Sequence, residues 1–243
     1  DRYMPSINDE AANIGFRVKE GYEAFESNED APFSAVVFKT LADPFVGKIS
    51  IFKVLSGSVS KDDKIYDVTK GKELKVSNLF YLKGKEQIKA DKVIAGDIGA
   101  FTKLDDLSTG DSLATANNKI EYKKIKYPKP VLFYAIEAVS KNDEDKISEA
   151  LQKLIEEDPT FVDDRNIETH QQILSGLGNM QLEVIMDKLR DNYGVNTEVV
   201  DYKIPYRETI KGKSDVQGKH KKQSGGAGQY GDVFIRFEPT EEE

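Results

Sequence analysis

The sequence contains no cysteine and only two histidines, His170 and His220, which lie far apart along the chain. Without cysteine, the chain cannot form a disulfide bond, bind a metal through thiolates or use a cysteine nucleophile. Two distant histidines also argue against a multi-histidine metal site. The lack of cysteine is typical of proteins in a reducing compartment, and we expect the protein to be cytoplasmic.

Long apolar runs are absent as well. No segment approaches the ~18 consecutive apolar residues of a membrane-spanning helix, so we expect no membrane partner. The 243 residues include 35 basic and 43 acidic side chains, which gives a net charge of −8. An acidic chain is a poor default binder of nucleic acid, so any contact with RNA has to come from a local basic patch.

Sequence signatures of catalysis are also missing. No segment has the G-x-x-x-x-G-K-[ST] pattern of a phosphate-binding loop, and we interpret Gly71-Lys72 and Gly84-Lys85 as turns. Adjacent acids such as Asp163-Asp164 would point to opposite faces of a strand and could not converge on one substrate atom. Serine, histidine and aspartate form no pattern typical of a catalytic triad. The sequence therefore predicts no catalytic, cofactor-binding or metal-binding residue in this chain.

The chain length allows one large domain or two to three small ones, at roughly 100–200 residues per domain. Residues 1–30 are polar, acidic and irregular, and we interpret them as the tail of an upstream domain and a linker. Residues 31–117 contain short runs rich in Val, Ile, Phe and Tyr, separated by turn residues: SAVVFKT, KISIFKVLSG, KIYDV, ELKVSNLFYL and IGAF. Many short strands at this spacing predict a small closed β-barrel.

The hydrophobic period changes after a linker at 118–130, which ends in two prolines, Pro128 and Pro130. Residues 131–203 predict two amphipathic helices between strand-like runs, in the order βαββαβ of a ferredoxin-like α+β domain. Ser140 with Asp143 is the expected cap of the first helix. The first helix is expected to end at Asp158-Pro159, and Gly194 is the expected C-cap of the second helix.

A glycine-rich segment, SGLGNM, connects a predicted strand to the second predicted helix. Two interpretations are open. Its glycines could allow a tight strand-to-helix turn, which is the favoured interpretation. Alternatively, the helix N-terminus could hold an anion.

Residues 204–243 form the basic part of the chain and are interpreted as the truncated start of a further α/β domain. The stretch from 211 to 222 contains five lysines and one aspartate, and a glycine-rich segment and one clear strand, DVFIRFEP, follow. Lysines supply phosphate contacts, glutamines can bond base edges and Tyr230 could stack on a base. A solvated basic hairpin is an equally good interpretation. Because a lone strand lacks core partners, we expect this part to be mobile or to pair with a neighbouring molecule.

Several motifs resemble bacterial elongation factor G, a family of translational GTPases. DPFVGKISIFKVLSG, AGDIGA and TGDSLA look like its second domain, and ILSGLGNMQLEVIMDKLRDNYGV is similar to its third. PYRETI and GKHKKQSGGAGQYGDV look like the entry to its fourth domain. The motifs occur in the family's order over about residues 31–240, so the chain is identified as an internal piece that covers domains II, III and the start of IV.

The resemblance implies a fold and a role. The family are ribosome-dependent GTPases that move tRNA and mRNA, and GTP with Mg would be bound in a domain before Asp1. The chain alone should then not hydrolyse GTP. The second domain would contact ribosomal RNA, the third would relay the nucleotide state, and the fourth would reach the decoding region with its tRNA and mRNA. We expect a monomer whose partners are ribosomal RNA and small-subunit proteins.

Two groups of residues would carry this role. The expected ribosome contacts are Lys219, His220, Lys221, Lys222, Gln223, Ser224, Gly225, Gly226, Gly228, Gln229 and Tyr230. The expected inter-domain relay residues are Gly176, Gly178, Asn179, Gln181, Arg207 and Glu208.

The sequence departs from the family pattern at four positions. Ala227 and Asp232 replace an arginine and a histidine of the usual SGGRGQYGHV, which should weaken phosphate contacts. Asn179 and Gln181 replace a glutamate and a histidine of the usual GMGELHLE. These changes favour a divergent paralogue, such as a ribosome-protection or ribosome-recycling protein, as the alternative function. A non-catalytic RNA-binding module is a third hypothesis.

Overall fold

A computed structural model describes residues 27–43 and 46–239. The interpretation of residues 1–30 as a tail and linker falls almost wholly outside the described residues. The chain divides into two compact units, and the boundary along the sequence lies between Tyr202 and Lys203.

The first unit begins with a β-barrel domain. Its strands are β1 (Ser34–Asp43), β2 (Gly47–Ser56), β3 (Ser58–Ser60), β4 (Lys64–Asp67), β5 (Lys72–Lys75), β6 (Asn78–Lys83), β7 (Glu86–Lys89), β8 (Lys92–Ile94), β9 (Ile98–Thr102) and β10 (Ser112–Ala114). Eight of them form one antiparallel sheet in the order β5-β4-β10-β1-β2-β9-β6-β7, and β3 pairs with β8. The strands bury two apolar clusters, and in the larger one Phe52 stacks on Phe101 with ring centroids 3.9 Å apart.

The second part of this unit is the predicted ferredoxin-like domain. It contains β11 (Leu132–Ala138), α1 (Lys141–Glu157), β12 (Val162–Arg165), β13 (Gln172–Gly176), α2 (Asn179–Tyr193) and β14 (Thr197–Val200). The strand order is β12-β13-β11-β14, and every neighbouring pair is antiparallel. Apolar side chains of both helices, including Leu151 and Leu182, form the core with Leu174 of β13.

The predicted helix ends are confirmed. The Ser140 hydroxyl accepts a hydrogen bond from the backbone N–H of Asp143 at 3.3 Å, and α1 ends at Glu157, before Asp158 and Pro159. Gly194 ends α2 in the left-handed conformation, at φ 65°. A glycine suits this position because a β-carbon disfavours left-handed backbone.

The barrel and the α/β domain contact each other at the end of α1. The backbone N–H of Ala42 donates to a carboxylate oxygen of Glu157 at 2.9 Å, and Lys188 Nζ lies 2.8 Å from the other oxygen. Beside them, Lys48 Nζ lies 3.2 Å from Glu156. Glu157 thus joins β1 of the barrel to both helices of the α/β domain.

The second unit contains a long antiparallel hairpin, β15 (Ser214–Ser224) and β16 (Ala227–Phe237). The sequence predicted the later strand clearly and left a basic hairpin open as one interpretation of the stretch before it, and that stretch supplies the partner strand. Ser214 pairs with Phe237 at the open end and Ser224 with Ala227 at the turn, with no register shift between them.

Candidate nucleic-acid interface

The basic stretch of the sequence forms the turn half of the β15–β16 hairpin. Its strands are joined by a two-residue turn, Gly225-Gly226, and Gly225 has a φ of +77°. Two-residue hairpin turns need positive φ at a central position, and glycine adopts it without steric cost. We call residues 219–232 the hairpin tip.

The register distributes the tip side chains over two faces. Lys219 and Lys221 lie on one face, opposite Asp232 and Tyr230. His220 and Lys222 lie on the other face, where Lys222 is paired with Gln229. This follows from the alternation of side chains along a strand. Both faces of the tip therefore present cations beside a group that can stack on a base or bond its edge.

The open half of the hairpin has a different character. Val216, Ile235 and Phe237 lie on one face, and Phe234 lies on the other, where it is 77% exposed. On the same face as Phe234, Arg236 donates two hydrogen bonds to Asp215, at 2.7 and 3.2 Å. The apolar and the basic residues are thus separated along the hairpin axis.

The structure brings the predicted RNA-contact residues together on this one element. Every tip residue whose exposure is described is exposed to solvent. Among the described residues, neither Lys221 nor Lys222 forms an ion pair, which leaves both charges available to a phosphate. Lys219 differs, because its Nζ lies 3.8 Å from Asp232 Oδ2 and 5.9 Å from the centre of the Tyr230 ring.

Asp232 is a functional candidate that the sequence predicted only as an added negative charge that weakens phosphate contacts. Its carboxylate accepts hydrogen bonds from Gln217 Nε2 at 2.8 Å and from the Tyr230 hydroxyl at 3.1 Å. Gln217 was not predicted at all. The alternating pattern of two paired strands would have revealed both, because it places Gln217, Lys219, Tyr230 and Asp232 on one face.

Four of the six predicted relay residues lie at the start of α2. Gly176 ends β13, Gly178 precedes the helix, and Asn179 is its first residue. A β-carbon on Gly176 would lie 2.8 Å from both Gln181 Oε1 and Leu182 Cδ2, so a side chain there requires both neighbours to move. This close approach favours the interpretation of SGLGNM as a tight strand-to-helix turn.

Gln181 connects this turn to the end of α1. Its Oε1 accepts from the Leu177 backbone N–H at 2.7 Å, while Nε2 donates to Asp158 Oδ2 at 2.9 Å and to Thr160 Oγ1 at 2.6 Å. Burial works to raise the pKa of Asp158, but hydrogen bonds from Thr160 and Gln181 and the charge of Lys188 outweigh it, so the pKa lies below its usual value.

The other two predicted relay residues, Arg207 and Glu208, lie in the second unit, in an irregular segment before β15. Both are exposed. The structure therefore divides the predicted relay residues between the two units.

The barrel has a cavity that the sequence analysis did not foresee. It has a volume of about 470 Å³, and its lining includes Phe38, Ile125, Tyr127, Lys53 and Lys124. Ile125 and Tyr127 come from the segment that the sequence analysis treated as a linker. The alternating apolar and basic residues of KKIKY are the sequence signal that could have indicated it.

Within 27–43 and 46–239, no three histidine, aspartate or glutamate side chains are grouped so that they could hold a metal ion. In the same part of the chain, neither helix has the length and apolar character needed to cross a membrane.

Comparison with family models gives a match for each part of this architecture. Residues 32–116 match elongation factor G domain 2, residues 127–201 match elongation factor G domain III, and residues 202–243 match elongation factor G domain IV. The chain belongs to the elongation factor G family. The basic hairpin thus lies in the part that matches domain IV, and Gln181 lies in the part that matches domain III.

Similar proteins agree with this assignment. The chain is 40% identical over 242 residues to elongation factor G of Thermotoga maritima, and 39% identical over the same length to that of Thermotoga neapolitana. Each match covers 99% of this chain and 35% of the relative, so the chain spans about a third of the length of these curated relatives. A crystal structure of a protein from Thermus thermophilus aligns with a TM-score of 0.73 and 36% identity, over 88% of this chain and 32% of that one.

Proposed function

We propose that this chain is the ribosome-contacting and relay part of a GTPase that promotes translocation of tRNA and mRNA. Its membership of the elongation factor G family and the order of the three matched domains support this. The 243 residues do not fit a GTP site, because they lack a phosphate-binding loop sequence. GTP with its Mg²⁺ would then be bound by another part of the protein, and the protein would work in the cytoplasm as a monomer.

The observation that carries the proposal is the hairpin tip. Lys221 and Lys222 are exposed and form no ion pair among the described residues, and Tyr230 and Gln229 lie directly across the register from them. Cations that neutralise phosphates, next to groups that stack on bases or bond their edges, form the basic chemistry of single-stranded RNA recognition. The proposed partners are ribosomal RNA, small-subunit proteins, and the tRNA and mRNA of the decoding region.

The domain limits proposed from the sequence are a barrel at 31–117, a linker at 118–130, an α/β domain at 131–203 and a further domain from 204.

Within the α/β domain, we assign the relay to the turn at the start of α2. A displacement of this turn would pull on Gln181, whose amide bonds both the turn and the end of α1. Such a contact can pass a change from one element to the other.

Two variants of the full-length protein test the proposal. Replacing Gln229 and Tyr230 by alanine should slow single-round translocation, because the tip loses its stacking and base-edge groups. Replacing Lys221 and Lys222 by alanine should weaken ribosome binding. The slope of log affinity on log salt should then become shallower by about 0.7–0.9 for each lost phosphate contact.

The matched control is the pair Lys83→Ala and Lys85→Ala, because both lysines are exposed near the β6–β7 turn and removing them changes the net charge equally. The control should keep the translocation rate and the salt slope of the wild-type protein. An unchanged rate in the Gln229 and Tyr230 variant would remove the tip from the mechanism.

A paralogue with another task on the same ribosomal site is the second candidate. The observation that favours it is the pairing of Asp232 with Lys219, which reduces the positive charge of the tip. Translocation and subunit splitting, measured side by side with the full-length protein, separate the two functions. Splitting without translocation would favour the paralogue.

A further inference from the structure

Asp232 collects donors that the tip could otherwise offer to RNA. Its carboxylate contacts Lys219, Tyr230 and Gln217, at 3.8, 3.1 and 2.8 Å. The Asp232 side chain is 23% exposed, although it lies in the middle of an open hairpin, and that of Lys219 is 55% exposed. The three donors therefore cover the carboxylate and are turned toward it.

The donors around Asp232 are those of a phosphate site. An ammonium, a phenol and an amide N–H₂ are all groups that bind phosphate oxygens, and here a carboxylate occupies the position of the anion. Lys221 and Lys222 provide the contrast, because no acid among the described residues pairs with either one. Of the three lysines in the tip, Lys219 is thus the one that faces an acid within the hairpin.

We propose that Asp232 is an internal competitor for RNA phosphate, which limits the affinity of the hairpin and positions Tyr230. The inference rests on the proposed function, since it assumes that the tip binds RNA. Asp232 acts through Lys219 and Tyr230, and is a positioning residue. A phosphate that binds Lys219 has to displace or share the carboxylate, so the contact adds less affinity than those of Lys221 and Lys222.

The experiment measures the affinity of the full-length protein for intact ribosomes over a series of KCl concentrations. Asp232→Asn keeps the size of the side chain and an acceptor oxygen but removes the charge, so it releases Lys219. Its slope of log affinity on log salt should be steeper than that of the wild-type protein by about 0.7–0.9. The gain in affinity should then be about threefold larger at 50 mM than at 200 mM KCl.

Asp215→Asn is the matched control. Asp215 lies on the same face of the hairpin and is ion-paired with Arg236, so this variant removes the same charge nearer the open end. Its salt slope should stay close to the wild-type slope. Asp232→Glu keeps the charge, and it too should keep the wild-type slope.

The outcomes separate this inference from the proposed function. Equal slopes for Asp232→Asn and Asp215→Asn would mean that only net charge matters, and would overturn the inference. The inference would also be overturned if Asp232→Asn had the same slope as the wild-type protein while the loss of Lys221 and Lys222 still made the slope shallower. If the wild-type protein does not bind, or loss of both lysines has no effect, the proposed function fails and the inference fails with it.

Discussion

The first unit and the hairpin are built by different rules. The barrel and the α/β domain surround apolar cores in which large side chains such as Phe52 and Leu151 are fully buried. In the hairpin, every residue whose exposure is described is exposed, and cross-strand pairs hold the element together. The comparison indicates that folding stability resides in the first unit, while the residues proposed to bind RNA lie where little folding stability is at stake.

The largest expected effect is that of a core truncation. Phe52→Ala should lower the free energy of unfolding by about 3–5 kcal/mol, because it opens a cavity and removes the stacking with Phe101. Phe234→Ala on the hairpin should change it by no more than about 0.5 kcal/mol. Urea unfolding followed by circular dichroism measures both. A large loss from Phe234→Ala would contradict the contrast between the two regions.

A matched pair of glycines sharpens the comparison. Gly57 has a φ of +65°, and a β-carbon there would lie 2.4 Å from the carbonyl oxygen of Ala31. Gly225 has a φ of +77°, but a β-carbon would meet open space. Gly225→Ala should therefore cost only the roughly 1–2 kcal/mol of left-handed backbone, and Gly57→Ala should cost more. Equal losses in thermal unfolding would argue against this steric explanation.

A polar contact in the α/β domain should give an intermediate effect. Gln181→Ala removes the acceptor for the Leu177 N–H and the donor to Asp158, which should cost about 1–3 kcal/mol. Gln217→Ala, which removes a glutamine from the exposed hairpin, should cost about 0.5 kcal/mol or less. Chemical denaturation of both variants provides the test. Similarly small losses in the free energy of unfolding would show that the hydrogen bonds of Gln181 do not stabilise the α/β domain.

The smallest expected effect is a pH dependence that only the first unit should show. Burial, and then the charge of Asp111, raise the pKa of Asp67, which is 1% exposed. A raised pKa means that the folded state binds the proton more tightly than the unfolded state. The contribution of Asp67 is therefore fully present below the unfolded pKa, and is lost as the pH rises through the folded pKa.

Relative to Asp67→Asn, the wild-type chain should thus gain stability as the pH is lowered from roughly 7 to 4. The measurement is the difference in free energy of unfolding between the two proteins at each pH. Asp215→Asn, in the exposed hairpin, is the control. A constant difference for Asp67→Asn would contradict the assignment.

Local patterns in the sequence predicted the first unit well. Short runs rich in Val, Ile, Phe and Tyr predicted β2 and β9, and Ser140, Asp143 and Gly194 predicted helix ends, because caps depend on neighbours in sequence. Strands of three residues, such as β3 and β8, were not predicted individually, since so short a run has no measurable period.

The hairpin was predicted less completely, for a physical reason. The stretch that forms β15 contains three lysines and one glycine, residue types with low strand propensity, and it becomes a strand because it pairs with β16. The predicted contact residues of 219–230 do lie together on the tip. The bonds of Asp232 depend on the cross-strand register, and a pattern read along one strand does not contain that register.

The joint at Glu157 has a consequence for how the barrel and the α/β domain respond to their surroundings. The Glu157 carboxylate accepts a hydrogen bond from the backbone N–H of Ala42 in the barrel and forms an ion pair with Lys188. A neighbouring ion pair joins Lys48 of the barrel to Glu156. Mobile ions screen charges beyond about 8 Å at physiological salt and weaken exposed pairs further as salt rises. The Lys48 and Glu157 side chains are only 8% and 16% exposed, and partly buried pairs are screened much less, so this joint should keep its geometry as the ionic strength rises.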